Sequence, residues 1–151
     1  MIHRFERFAS LITVIHRCLN KIMNDEMVKF GLKGTYALYL SAMYRYKDGI
    51  TAARLCEVCD KNKAAVSRAL AEMAELGLIK RENANNSSYR ARITLTEKGK
   101  FAARYIRARA IIAVEKAGEG LSPDQRRIFY KSLELIATNL QIISEEGLPG
   151  E

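Results

Sequence analysis

The chain has 151 residues, enough for one domain with a real core or for a small domain carrying helical extensions. With 48% hydrophobic and 28% charged residues it has ordinary globular composition, which excludes a disordered chain. A formal net charge of +8 favours a polyanionic partner over an acidic protein surface or a neutral metabolite.

The N-terminal stretch "MIHRFERFASLITVIHRCLNK" alternates apolar and charged residues at helical spacing and lacks the apolar run of a secretory signal. No apolar run reaches the roughly 18 residues a membrane span needs, so no membrane partner is expected and the expected location is the cytoplasm. The first helix reads from about His3 to Lys29. Its apolar band is Phe5, Phe8, Ile12, Ile15, Leu19, Ile22 and Met27, and Gly31 stops it. A second helix covers about Thr35 to Lys47, with Tyr36, Tyr39, Leu40, Met43 and Tyr44 on its apolar side. Thr51 then caps a short third helix, "AARLCEVC".

The fourth helix lies within "DKNKAAVSRALAEMAELGLIKRE". Asn62 is its N-cap and Gly77 its C′ residue. Val66, Leu70, Met73, Ala74 and Leu76 form the stripe expected to be buried, opposite Lys63, Ser67, Arg68 and Glu72. Next comes a β-hairpin signal: "LIKRE" and "RARITLT" around the turn-forming "NANNSSY". Ile93 and Leu95 are expected inside, with Arg92 and Thr94 wet. Thr96 caps a fifth helix to about Lys116, whose stretch from Lys98 to Ala113 holds Lys98, Lys100, Arg104, Arg107 and Arg109 and no acidic residue. This reads as a basic flank.

In the sixth helix Ser122, Pro123 and Gln125 make a capping box with proline at N1. Phe129, Leu133, Ile136, Leu140 and Ile143 recur at helical steps, and Ile128, Leu135 and Ile142 form a second stripe beside them. Two stripes need more than one neighbour. The two chain ends are therefore expected to build a homodimer interface, through Phe5, Phe8, Ile12, Phe129, Leu133, Ile136, Leu140 and Ile143; the plainer alternative is that they close the monomer's own core.

This order of elements is mainly α with a small β-hairpin wing, a winged helix-turn-helix with N- and C-terminal helical dimerisation arms. It resembles the MarR family of bacterial transcriptional regulators, on "TAARLCEVCDKNKAAVSRALAEMAELGLIKRE", "RARITLTEKGK" and "LSPDQRRIFYKSLELI". The resemblance divides the chain into a dimerisation helix (1–31), a DNA-binding domain (32–100) and C-terminal dimerisation helices (101–151). It implies a homodimer that binds pseudo-palindromic double-stranded DNA, often as a repressor and often released by a small-molecule effector or an oxidant. Family wings commonly carry an Asp-x-Arg motif; the corresponding positions here hold Ser87 and Tyr89, with Arg90 one residue later.

In a helix-turn-helix the second helix enters the major groove N-terminus first. Small side chains at Ala64 and Ala65 permit close approach. Ser67 and Arg68 follow one turn on, Arg68 with the fork to read guanine in a bidentate way. Lys61, Asn62 and Lys63, with the helix dipole, suit phosphates. The wing offers Lys80, Arg81, Asn86, Ser88, Tyr89, Arg90 and Arg92. A solvated face is the competing reading for each charge taken singly, and simple turn formation is the competing reading for the Asn and Ser residues.

Cys56 and Cys59 form a C-x-x-C pair, but Cys18 is remote and both histidines lie in the first helix, so buried inert thiols are expected rather than a metal site or a sensor. Candidates for ligand contact are His16, Tyr36 and Tyr39, where core or interface packing is the plainer reading. No glycine-rich phosphate loop, H-E-x-x-H or Ser–His–Asp arrangement is present, so neither enzyme activity nor a cofactor is expected. Two non-enzymatic alternatives remain at this point: a nonspecific architectural DNA binder, and a protein-interaction module.

Overall fold

The computed structural model describes residues 2–82, 91–148 and 150. Among the described residues the elements run α1 (Ile2–Lys29), α2 (Tyr36–Arg45), α3 (Ala52–Cys59), α4 (Lys63–Glu75), β1 (Ile79–Glu82), β2 (Arg92–Leu95), α5 (Glu97–Ala117) and α6 (Pro123–Glu146). They form two compact units, Met1–Ala113 and Val114–Glu151.

Local chemistry accounts for the element ends. In α1 the Gly31 and Leu32 amides donate to Val28 and Met27, with Gly31 left-handed at φ 81°. α4 ends in the same way: Gly77 donates to Ala74 and Leu78 to Met73, with Gly77 at φ 69°. This pair of bonds satisfies carbonyls that the helix leaves open. The tight α3–α4 turn uses Asp60 at φ 49°, a left-handed conformation that Asp tolerates better than most residues. Thr51 and Asn62 cap α3 and α4 by accepting from the Arg54 and Ala65 amides.

The core of the first unit gathers Met27 from α1, Tyr36, Tyr39, Leu40 and Met43 from α2, Leu55 and Cys59 from α3, and Val66, Ala69, Leu70 and Met73 from α4. Leu78, Ile93, Leu95, Ala102, Ala103 and Ile106 complete it. The buried stripe of α4 is rotated from expectation: Ala69 is inside, whereas Ala74 and Leu76 are exposed. Leu76 lies at the helix end, where the chain turns away and the face is no longer covered.

β1 and β2 pair antiparallel, Ile79 opposite Leu95 and Glu82 opposite Arg92. A further bridge, unsuspected from sequence, joins Ile50 to Ile93 through two mutual amide bonds of 2.9 and 3.0 Å. Thr94 is also not wet: its residue is half-buried and its hydroxyl lies enclosed, without a partner among the described residues. Gly49 lies close by: a Cβ there would meet the Thr94 methyl at 3.0 Å.

Glu26 is buried where α1 meets α5. It accepts from Arg109 Nε at 2.7 Å, Lys29 Nζ at 2.9 Å and the Tyr105 hydroxyl at 3.0 Å. Beside it the Phe30 ring stacks on Tyr105 with centroids 4.8 Å apart.

In the second unit, the capping box of α6 forms as expected, Gln125 N donating to Ser122 Oγ and Ser122 N to Gln125 Oε1. Arg126 reaches back to the end of α5, donating to the Gly118 carbonyl at 2.9 Å and to Glu115 Oε2 at 2.7 Å. No residue of α6 is buried. Ile128 is 57% exposed and Leu135 62%. The two stripes therefore do not close a core within this unit.

Candidate nucleic-acid interface

α4 divides cleanly. Val66, Ala69, Leu70 and Met73 hold it to the core, and the opposite side presents Lys63, Ala64, Ser67, Arg68 and Ala71 to solvent, with Ala65 half-buried at the edge. Lys61 and Asn62 are exposed in the turn before it. The helix thus offers a front of small side chains, one guanidinium and two ammonium groups, with the positive end of its dipole at the same end. Such a surface suits close approach by an anion-bearing ridge.

Glu72 belongs to that helix but serves another purpose. Its Oε2 accepts from Lys33 Nζ at 2.7 Å and from the Tyr36 hydroxyl at 2.6 Å, tying α4 to the start of α2. Lys33 and then Tyr36 hold the Glu72 carboxyl below its ordinary range. Burial, followed by the carboxylate, pushes the Tyr36 hydroxyl up to about 12. Among the described residues Arg68 makes neither a hydrogen bond nor an ion pair.

The hairpin contributes Lys80, Arg81 and Arg92, all exposed. Two of them are already engaged: Lys80 Nζ lies 3.0 Å from Glu82, and Arg92 donates to the Asp48 carbonyl at 2.9 Å. Asn86, Ser88, Tyr89 and Arg90 lie outside the described residues, as does the Asp-x-Arg position.

The expected basic flank of α5 is largely engaged by other groups of the chain, though most of it stays exposed. Lys98 donates to the Leu76 carbonyl and caps the end of α4, and Lys100 pairs with Glu97 at 2.7 Å. Arg107 lies over the Tyr44 ring at 5.1 Å, and Arg109 is bound to Glu26. Arg104 is left with no hydrogen bond, ion pair or ring contact among the described residues. Sequence spacing shows the charges, but the partners of Lys98, Arg107 and Arg109 come from elements far away in the chain.

A concavity of about 490 Å³ lies at the base of the wing, lined by Met43, Tyr44, Lys47, Thr94, Lys100 and Arg104 among others. Tyr36, Tyr39 and His16 do not line it. Tyr36 and Tyr39 are core residues, and His16 is exposed on α1, 2.9 Å from the Asn20 amide. Cys59 is buried and Cys56 half-buried, and burial holds the Cys59 thiol above its usual range, which suppresses reactive thiolate. Among the described residues no three His, Cys, Asp or Glu side chains are grouped to hold a metal. No helix among them is long and apolar enough to cross a membrane.

A MarR-family model matches residues 30–86, from the end of α1 through α4 and β1. Over this stretch the chain is similar to the MarR family. Solved structures extend the likeness to nearly the full length. A protein described as a MarR-family transcriptional regulator from Listeria monocytogenes, complexed with 26mer DNA, superposes with a TM-score of 0.80 at 21% identity, over 95% of this chain and 97% of that one. A MarR transcriptional regulator from Methanosarcina mazei Go1 gives 0.82 at 23%, over 91% and 99%. The transcriptional regulator SlyA gives 0.78 at 26%, over 88% and 93%. No curated protein matches the chain in sequence. The fold is that of MarR-family winged-helix structures, with α4 inside the matched stretch.

Proposed function

We propose that this MarR-family protein is a homodimeric, sequence-specific double-stranded DNA-binding repressor. The observation that carries the reading is α4, which is anchored by four buried residues and presents Lys63, Ala64, Ser67 and Arg68 to solvent behind an Asn62 cap. Arg68 reads a base edge, Lys61 and Lys63 hold phosphates, and Ala64 and Ala65 let the backbone approach. The Listeria relative, described in complex with DNA, supports the same use of the fold.

Dimerisation rests on uncovered apolar surface. On α1, Phe5 is 71% exposed, and Ile12, Ile15, Leu19 and Ile22 continue the seam at three- and four-residue steps, with Phe8 half-buried. On α6, Phe129, Ile136 and Leu140 are exposed, with Leu133 and Ile143 half-buried. Contiguous apolar faces of this length mark protein–protein interfaces. Residues 1–31 and 101–151 supply the arms and 32–100 the DNA-reading domain. Release by a small-molecule effector belongs to the same reading, and the concavity beneath the wing is a place for it to act.

The test is fluorescence anisotropy of the purified protein on its own upstream DNA and on a random duplex, over a salt series. The reading expects tight binding at two protomers per site, a steep fall with salt, and far weaker binding to the random duplex. Weak binding with no preference would sink it.

A further inference from the structure

Arg68 and Glu72 are four residues apart on α4, so they share a face one turn from each other, the spacing at which opposite charges on a helix pair. They do not pair here. Glu72 is turned to Lys33 and Tyr36, both of which donate to the same oxygen, Oε2. Tyr36 is 1% exposed and packed in the core, so its hydroxyl is a fixed donor, while Lys33 neutralises the carboxylate from the turn before α2. Arg68 is exposed, and its charge acts on Glu72 only as a smaller pull from a distance.

We propose that Lys33 and Tyr36 act as positioning residues, holding Glu72 away from Arg68 so that the recognition helix keeps an unpaired guanidinium for base reading. The inference rests on the DNA-reading role proposed above and adds a reason for its specificity. A guanidinium chelated by its own helix must break that pair before it can bind guanine through both nitrogens. With the two donors gone, Glu72 would lose its neutralising cation, and Arg68 would be the nearest replacement on its own face.

The test uses the full chain with Lys33→Met and Tyr36→Phe combined, and the same variant with Glu72→Gln added. In the absence of DNA, side-chain carbon-13 titration of Glu72 reads the capture directly. Arg68→Ala should leave the Glu72 titration of the unaltered protein nearly unmoved, and should shift it upward in the Lys33→Met/Tyr36→Phe background. No upward shift there overturns the proposal, whatever the protein binds. On the specific duplex, the double variant should lose about two- to fivefold in affinity, the size of an exposed ion pair. Adding Glu72→Gln should restore it. Both variants lack the clamp, so a loss from slackened anchoring of α4 would persist in both, and that persistence also overturns the proposal. Unchanged affinity in the double variant does the same. The preference of the unaltered protein for its upstream DNA reports separately on DNA reading, so the two failures remain distinct.

Discussion

Among single residues, Gly99 is the one the fold can least replace. A Cβ there would meet the Leu78 carbonyl oxygen at 1.9 Å, because α5 starts directly against the end of α4, with Thr96 N donating to that same carbonyl at 3.0 Å. The obstacle is backbone and cannot swing aside. Gly99→Ala should therefore destabilise the protein by at least the cost of overpacking, about 1–3 kcal/mol, read as a lowered midpoint in denaturant unfolding. Two residues of α4 separate by their chemistry. Arg68→Ala should lower discrimination between the specific and random duplexes, and Lys63→Ala should weaken both alike. Equal loss on the two duplexes for Arg68→Ala would remove its reading role. The glycine in "LTEKGK" is visible in sequence, but the reason for it is a carbonyl about twenty residues earlier in the chain, and no spacing rule points there.

Between elements, the junction of α1 and α5 turns on one carboxylate. Lys29 first, then Arg109, hold Glu26 at about 2, against an ordinary value of 4.5. A group whose pKa is depressed by folding stabilises the native state above its unfolded value and loses that contribution as pH falls through the folded value. The Glu26 share of stability should thus be whole above about pH 4.5 and drain away toward pH 2. Glu26→Gln, measured by denaturant unfolding at several pH values, should be less stable than the unaltered chain near neutrality, with the gap narrowing across that window. A constant gap would show that the carboxylate charge is not the cause. In the second unit, Ser122→Ala removes the acceptor for the Gln125 amide and should cost about 1 kcal/mol of helix stability, read by thermal unfolding followed by circular dichroism. Both ends of this capping box are legible in "SPDQ", since a cap is chemistry among neighbours in the chain. The Glu26 network joins residues up to 83 positions apart, which no local pattern marks.

For the whole molecule, the uncovered stripe of α6 bears on assembly. Under the proposed dimer, Leu140→Glu places a charge on the exposed apolar stripe of α6. It should shift the protein toward monomer in sedimentation velocity and weaken binding to a two-half-site duplex, while far-UV circular dichroism keeps its helical signal. A variant that sediments like the unaltered chain would move the interface away from this face. Since α6 has no buried residue, the substitution tests assembly rather than a core.

The sequence by itself determined the elements and their ends: six helices among the described residues, their caps, the left-handed glycines after α1 and α4, and the hairpin. The helix ends depend on contacts three to six residues apart, and the hairpin on two short runs joined by one turn-forming stretch, so their chemistry is written in the order of the chain. Tertiary structure alone decided which of the many basic residues are committed. Lys98, Arg107 and Arg109 are bound to a helix end, a ring and a buried carboxylate, while Arg68 stays open beside a carboxylate held by Lys33 and Tyr36. Charge is a property of the residue, but its availability depends on which distant groups the packing brings within about 3 Å, where a hydrogen bond forms.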